Sequence, residues 1–209
     1  MAKINSEQLK QLIEAAIFVA DEPLSIERMQ HTILVEFSVS KKQINTVIND
    51  LKSDYAARGI QLRELASGFS FRSNDALSPW LSRMWQETAP RFSRALLETL
   101  ALIAYRQPIT RGEIEDVRGV AVSSNIMRTL VEREWVKLVG RKEVPGRPAL
   151  YATTSKFLDY FGLTRLSDLP TEDAFNQLLL DQQQAPPHQP QSTEAQTSEG
   201  STPNQEQLH

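Results

Sequence analysis

Residues 102–119 read "LIAYRQPITRGEIEDVRG", and this stretch decides how the chain folds around it. Pro108 ends an apolar helix, because proline has no amide hydrogen with which to continue helical bonding. Thr110 and Glu113 have the spacing of a capping box, in which each side chain accepts a hydrogen bond from the other residue's amide. Gly119 suits the left-handed conformation that closes a helix. The stretch therefore predicts a helix, a tight turn and a second, short helix.

The flanking segments complete a module. Residues 93–105 predict a helix with one apolar face, formed by Leu97, Leu100, Ala101, Ala104 and Tyr105. Residues 123–134 predict a third helix with Ile126 and Leu130 directed inward. Residues 140–154, "GRKEVPGRPALYATT", read as a hairpin whose turn is made by the proline and glycine at its centre. Three helices followed by a two-stranded hairpin are the winged-helix layout.

The same order of elements occurs earlier in the chain. Residues 6–20 predict a helix capped by Ser6, with Leu9, Leu12, Ile13, Ala16, Ile17 and Ala20 on one face. Ser25 and Ser40 are expected to cap two further helices. Residues 60–72 predict a hairpin that turns at residues 66–68. When Pro23 is aligned on Pro108, Ser25 falls on Thr110 and Leu12 on Leu97, which indicates a repeat.

The expected fold is mainly α with small β wings, an α+β arrangement of two tandem winged-helix domains followed by a disordered C-terminal tail. We expect the first domain to span residues 1–86, a linker to span 87–93 and the second domain to span 94–170. Residues 171–184 read as a short helical extension. Residues 185–209 are rich in Gln, Pro, Ser and Thr and have almost nothing to bury, so they are expected to be disordered.

The composition limits the classes of function. The chain has no cysteine, which excludes disulfides and cysteine–zinc sites. A net charge of -3 gives no overall attraction to nucleic acid. No apolar run approaches the roughly 20 residues of a membrane span, and the N-terminus lacks the apolar core of a signal peptide. A cytoplasmic protein is expected.

The residues that could perform chemistry are few. Two of the three histidines lie in the tail, and His31 stands alone on a predicted helix. No nucleophile and base, phosphate-binding glycine loop or zinc motif can be assembled. The sequence predicts a binding module with no catalytic residues, no cofactor and no metal.

The predicted third helices bear on a DNA-binding role, since a DNA-reading winged helix places this helix in the major groove and its wing against phosphates. Both helices carry acids as well as bases, and phosphate contact dominates affinity for DNA. Weak DNA contact remains open, through Lys41, Lys42, Arg128 and Lys142. A transcription regulator that binds DNA directly is therefore the alternative function.

Arginine and aromatic residues are enriched at protein interfaces, and the second module carries several of them. Most of the aromatics are expected to lie in the core, because they bury large areas. Arg147, between a glycine and a proline in the predicted turn, is harder to place in a core. The candidate partner-binding residues are Tyr105, Arg106, Arg118, Arg141, Arg147 and Tyr151.

The segments "LIAYRQPITRGEIEDVRGV", "VGRKEVPGRPALYATTSKFLDYFGL" and "LSDLP" resemble the segregation and condensation protein B family. The resemblance covers residues 96–170 most closely, and the first module through its layout and "LIEAAIFVADEPLS". Members of this family have tandem winged-helix domains and work with an SMC ATPase and a kleisin, segregation and condensation protein A.

The resemblance implies a homodimer, paired mainly through the first modules, with Leu9, Ile13 and Phe18 as candidate contacts. It implies that the second modules bind the kleisin, which bridges the SMC heads, and that the assembly condenses and partitions chromosomes at the nucleoid. The ATPase activity would belong to the SMC partner, and contact with DNA would be weak or indirect. In this setting the hairpin of residues 140–154 is expected to meet protein rather than bases.

Overall fold

A computed structural model describes residues 2–84 and 92–171. The chain divides into two compact units, Met1–Leu169 and Pro170–His209, and the first holds both predicted modules. Of the second unit, only Pro170 and Thr171 are described. The predicted tail, nearly all of the predicted extension, and residues 87–91 of the predicted linker lie outside the described residues.

The first module follows the predicted order. Its elements are α1 (Ser6–Val19), α2 (Ile26–His31), α3 (Lys41–Tyr55), β1 (Ile60–Leu65) and β2 (Gly68–Ser73), followed by a 3-10 turn, α4 (Ser78–Leu81) and a second 3-10 turn. Ser25 and Ser40 cap α2 and α3 as predicted. The prediction that Ser6 caps α1 is wrong, because the Asn5 side chain accepts from the amide of Gln8 and Ser6 is already helical.

The wing of the first module is closed by a third piece of extended chain. β1 and β2 are antiparallel, and Leu65 pairs with Gly68 across a two-residue turn. Leu24, just before α2, forms an antiparallel bridge with Phe69. Each of these two residues donates its amide to the other's carbonyl, at 2.9 and 3.0 Å. The bridge ties the helix-turn-helix to its wing.

The second module repeats this plan. Its elements are α5 (Arg94–Arg106), β3 (Ile109–Thr110), α6 (Arg111–Arg118), α7 (Ser124–Glu132), β4 (Val136–Arg141), β5 (Ala149–Thr153) and α8 (Ser155–Tyr160), followed by a 3-10 turn at Leu166–Asp168. The capping box of Thr110 and Glu113 is present, and Gly119 ends α6 with a φ of 68°. The strand order is β3-β5-β4, so β3 corresponds to the bridge at Leu24.

Each module has its own hydrophobic core. The buried face of α5 consists of Leu96, Thr99, Leu100, Ile103 and Ala104. The prediction for this face is wrong at Leu97, which is exposed, and Tyr105 is only partly buried. In α7, Leu130 is buried as predicted and Ile126 is half-buried at the edge of the core.

The connections that follow the first helix of each module differ in length. Residues 20–23 join α1 to Leu24, whereas only residues 107–108 join α5 to Ile109. An alignment through the prolines therefore places the first helices two residues out of register. Two residues turn a helical face by about 200°, so this alignment does not carry the buried positions of α1 onto the buried positions of α5.

α8 follows the second wing and packs back on its module. Phe157 is buried in the core of the second module. Tyr160 packs against the ring of Trp135, with the ring centroids 4.5 Å apart. These aromatic contacts hold the end of α8 in a defined position beside the wing.

A substitution at Gly68 tests whether its close packing against Leu24 is required for the stability of the first wing. Gly68 has a φ of 149°, and a Cβ there would lie 2.4 Å from the carbonyl carbon of Leu24. We expect Gly68→Ala to lower the free energy of unfolding by about 2 kcal/mol or more, because both strain and a backbone clash oppose it. Urea unfolding monitored by circular dichroism measures the change.

Gly112→Ala is the matched control. No atom lies within 4 Å of a Cβ at Gly112, which is helical. Alanine suits a helix better, so stability should stay the same or rise by up to about 1 kcal/mol. Equal effects of the two substitutions would contradict the role assigned to Gly68.

Candidate functional site

The tip of the second wing is a tight, exposed loop of residues 142–148. The amide of Lys142 donates to the carbonyl of Pro148 at 2.9 Å, which closes the loop. Gly146 and Arg147 both have positive φ, 84° and 40°. The Arg141 guanidinium donates to the carbonyl of Arg147 at 3.2 Å. The predicted hairpin is therefore confirmed, and it presents the exposed side chain of Arg147.

Lys142 connects this wing to the helix-turn-helix. Its Nζ lies 2.5 Å from Oε1 of Glu113, the capping-box residue of α6. The other carboxylate oxygen accepts from the amide and the hydroxyl of Thr110, each at 2.8 Å. The hydrogen bond from Lys142 and then those from Thr110 lower the pKa of Glu113 to about 2. Glu113 therefore joins α6, β3 and the wing.

The candidate partner-binding residues do not all lie on one accessible surface. Tyr105 is partly buried near the end of α5 and Arg106 is exposed there. The Arg118 side chain is only 10% exposed, and its Nη2 lies 3.2 Å from Oε2 of Glu98. Arg118 therefore joins α6 to α5 within the module, and the prediction that it contacts a partner is wrong because its side chain is enclosed.

Tyr151 lies on the middle strand of the sheet, where it pairs with Ile109 on one side and Leu138 on the other. It is half-buried and packs against the core. Leu138, its cross-strand neighbour, is 56% exposed, and Val139 beside it is also exposed. Cross-strand partners share a face of the sheet, so an accessible apolar side chain adjoins Tyr151.

We define the wing surface as Leu138, Val139, Arg141, Arg147 and Tyr151. It combines exposed apolar side chains with two cations, the composition that protein interfaces favour. Leu138 and Val139 are not among the candidate residues predicted from the sequence. Their β-leaning context, "WVKLVG", was readable, but the pairing shift between Leu138 and Gly140 obscures which strand residues face outward.

Most candidate DNA contacts are ion-paired. Lys41 lies 2.7 Å from Glu27, and Arg128 lies 3.7 Å from Glu132. Lys142 pairs with Glu113 as described above. Lys42 has no ion-pair partner within residues 2–84 and 92–171. Neutralised cations attract phosphates weakly, which disfavours autonomous DNA binding.

The candidate dimer contacts differ in accessibility. Leu9 and Ile13 lie in the core of the first module and offer no side-chain surface to a second copy. Phe18 is 71% exposed near the C-terminal end of α1, next to the exposed Val19. Of the three candidates, Phe18 is therefore the one whose side chain is accessible for a dimer contact.

Within the described part of the chain, no cluster of three or more His, Asp or Glu side chains could hold a metal ion. The helices in the described ranges also include none with the length and apolar character needed to cross a membrane.

A sequence profile described as "Segregation and condensation complex subunit ScpB" matches residues 11–172, which include most of both modules. The chain belongs to the ScpB family. A segregation and condensation protein B homolog of Coxiella burnetii is 51% identical over 170 residues, 81% of this chain and 80% of that protein. The protein of Geobacillus thermodenitrificans is 46% identical, with 77% of each chain covered.

Solved structures of the same family are also similar to the chain. ScpB from Mycobacterium tuberculosis is 30% identical and covers 78% of this chain and 100% of its own, with a TM-score of 0.37. A dimer of an ScpB N-terminal domain complexed with an ScpA peptide is 31% identical and covers 41% of this chain and 92% of its own, with a TM-score of 0.32.

The depressed pKa of Glu113 gives a pH-dependent prediction. Its stabilising effect should be present above the ordinary value of 4.5 and should be lost as the pH falls towards about 2. We expect Glu113→Gln to cost about 1 kcal/mol or less at neutral pH, because the pair is partly exposed and solvent screens it. Urea unfolding from neutral pH down to pH about 3 should show the difference shrinking.

Glu143→Gln is the control, because Glu143 lies in the same loop and its side chain has no described hydrogen-bond partner. It removes the same charge, so its effect on unfolding should be near zero throughout. A Glu113→Gln difference that stays constant with pH would exclude the ionised carboxylate as the cause.

Proposed function

We propose that the chain is a non-enzymatic adaptor subunit of a condensin-like SMC–kleisin complex, acting in chromosome condensation and partition. The observation that carries the proposal is the family match, which extends across both winged-helix modules. The partners are a second copy of the chain, the kleisin and, through it, the SMC ATPase. This role places the protein in the cytoplasm at the nucleoid, with DNA contacted weakly or indirectly.

Phe18 supports the proposed homodimer. An aromatic side chain that is 71% exposed loses much unfavourable contact with water when a second copy covers it. In one relative, the N-terminal domain of ScpB has been solved as a dimer. α1 belongs to the first module here, so the proposed contact lies in the corresponding part of the chain.

We expect Phe18→Glu to shift the chain from dimer to monomer while the module stays folded, since the substitution places a charge in the proposed interface. Size exclusion with light scattering measures the mass. Val35→Glu is the matched control, because Val35 is 60% exposed in the same module but lies beyond α2. Two variants that both remain dimeric would place the interface elsewhere.

The wing surface is the proposed kleisin contact. It offers Leu138 and Val139 for apolar packing and Arg147 for an acidic or carbonyl group on the partner. Lys142 does not join it, because Glu113 already holds that ammonium group. The relative solved with an ScpA peptide contains the N-terminal domain alone, so variants confined to the second module test what that module adds to kleisin binding in this chain.

The test uses the full chain and a central fragment of the kleisin from the same genome, with affinity measured by calorimetry. We expect Leu138→Ser and Arg147→Glu each to weaken binding about tenfold or more, as for central interface residues. Lys137→Glu is the control, since Lys137 is exposed on the same strand but outside the wing surface. Unchanged affinity in both variants would remove the wing surface from the proposal.

The same preparation tests the alternative function. The alternative is a DNA-binding regulator. It predicts that the chain does not bind the kleisin fragment but binds DNA tightly, with an affinity that falls steeply as salt is added. The ion pairing of Lys41, Arg128 and Lys142 leads us to expect weak binding with little dependence on DNA sequence.

A further inference from the structure

The wing turn of the first module contacts the end of α8 in the second. The amide of Ser67 donates to Oδ1 of Asp159 at 3.1 Å, and the Ser67 hydroxyl donates to Oδ2 at 2.5 Å. The amide of Ala66 donates to the carbonyl of Leu163 at 3.2 Å. These residues are more than 90 positions apart in the chain, so the contact joins two separately built modules.

The turn is suited to donate. Ala66 and Ser67 are its two central residues, between Leu65 and Gly68 of the strand ladder. The central amides of a two-residue turn lie outside the ladder and need acceptors elsewhere. Gly68 fixes the position of the turn, because its backbone packs too closely against Leu24 to leave space for a Cβ. The donors are therefore held in place before α8 meets them.

The end of α8 is equally suited to accept. Asp159 lies in the last turn of the helix, where the helix dipole disfavours a carboxylate unless donors surround it. Gly162, with a φ of 72°, donates to the carbonyl of Asp159 at 3.3 Å, and Leu163 donates to that of Leu158 at 2.8 Å. This is a Schellman ending, and the Leu163 carbonyl that follows it accepts from the amide of Ala66. The carboxylate of Asp159 would therefore destabilise α8 on its own, and the hydrogen bonds from Ser67 of the first module offset this effect.

The start of α8 carries an ion pair of its own. Lys156, at the start of α8, forms an ion pair with Glu134 of its own module. The pKa of Lys156 is raised chiefly by this hydrogen bond, and the carboxylate of Glu22, in the connection between α1 and α2, adds to the effect. The ion pair of Lys156 thus ties the start of α8 to the second module, and Asp159 near its end contacts the first.

We propose that the Ala66–Ser67 turn is a carboxylate receptor for Asp159 and that this contact is a latch that sets the relative orientation of the two modules. The latch closes when Ser67 and Ala66 bond α8, and it opens without disturbing either core. An adaptor whose dimer contact and wing surface lie on different modules presents both in a fixed geometry only while the latch is closed.

The test is electron–electron distance measurement on spin labels attached at Arg72→Cys and Lys137→Cys. Both positions are exposed, one in each wing, and the natural chain has no cysteine to compete. An excess of unlabelled chain keeps distances between copies from contributing. The labelled chain in which Ser67 and Asp159 are unchanged should give one narrow distribution of distances between the two labels.

We expect Asp159→Ala to broaden the distribution and raise the ratio of open to closed chains about tenfold, since hydrogen bonds to a charged acceptor are the stronger kind. Asp159→Asn, which keeps one acceptor oxygen, should have a smaller effect, and Ser67→Ala should resemble it. Circular dichroism confirms that each variant is folded.

Asp116→Ala is the matched control, because Asp116 is an exposed carboxylate in the last turn of α6 and has no described hydrogen-bond partner in the first module. Its distance distribution should equal that of the parent. A distribution that stays narrow in folded Asp159→Ala, or broadens equally in Asp116→Ala, overturns the latch. The kleisin is absent from this experiment, so the result does not depend on the proposed function.

Discussion

The carboxylate of Glu113 connects three elements of the second module. This one group caps α6 through the amide of Thr110, bonds the Thr110 hydroxyl and holds the ammonium group of Lys142. The first two interactions place the helix-turn-helix against the sheet, and the third fixes the angle of the wing. A carboxylate that accepts from several donors stays ionised far below its usual range. The wing surface therefore rests on an interaction that persists at any physiological pH.

Several of the cations considered for DNA or partner contact form ion pairs with acids of the same chain. Lys41, Arg128 and Lys142 each have an acidic neighbour, and Arg118 is enclosed against Glu98. Exposed ion pairs of this kind add little stability, but they leave little net positive charge for a phosphate backbone. Two modules with the layout of DNA readers are consequently better suited to holding protein.

Many of the helix caps and turns of both modules could be predicted from the sequence, because they depend on residues close together in the chain. Ser25, Ser40 and the Thr110–Glu113 box were predicted correctly from a few neighbouring residues. The buried face of α5 was not predicted correctly. That helix is apolar on both sides, and only tertiary packing determines which side is buried. The enclosure of Arg118 was hidden for the same reason, because Glu98 is 20 residues away. The Ser67–Asp159 contact gave no local signal at all.

That contact also constrains the order of folding. Most bonds in each module join residues close in sequence, so each core can form without waiting for the other. Ser67 and Asp159 can meet only after the first wing and α8 both exist, and their meeting closes a long loop of chain at an entropic cost. Because residue 159 follows nearly all residues of both cores along the chain, the Ser67–Asp159 contact can form only late in synthesis. A chain interrupted before residue 159 would carry a finished first module with its wing turn still unoccupied.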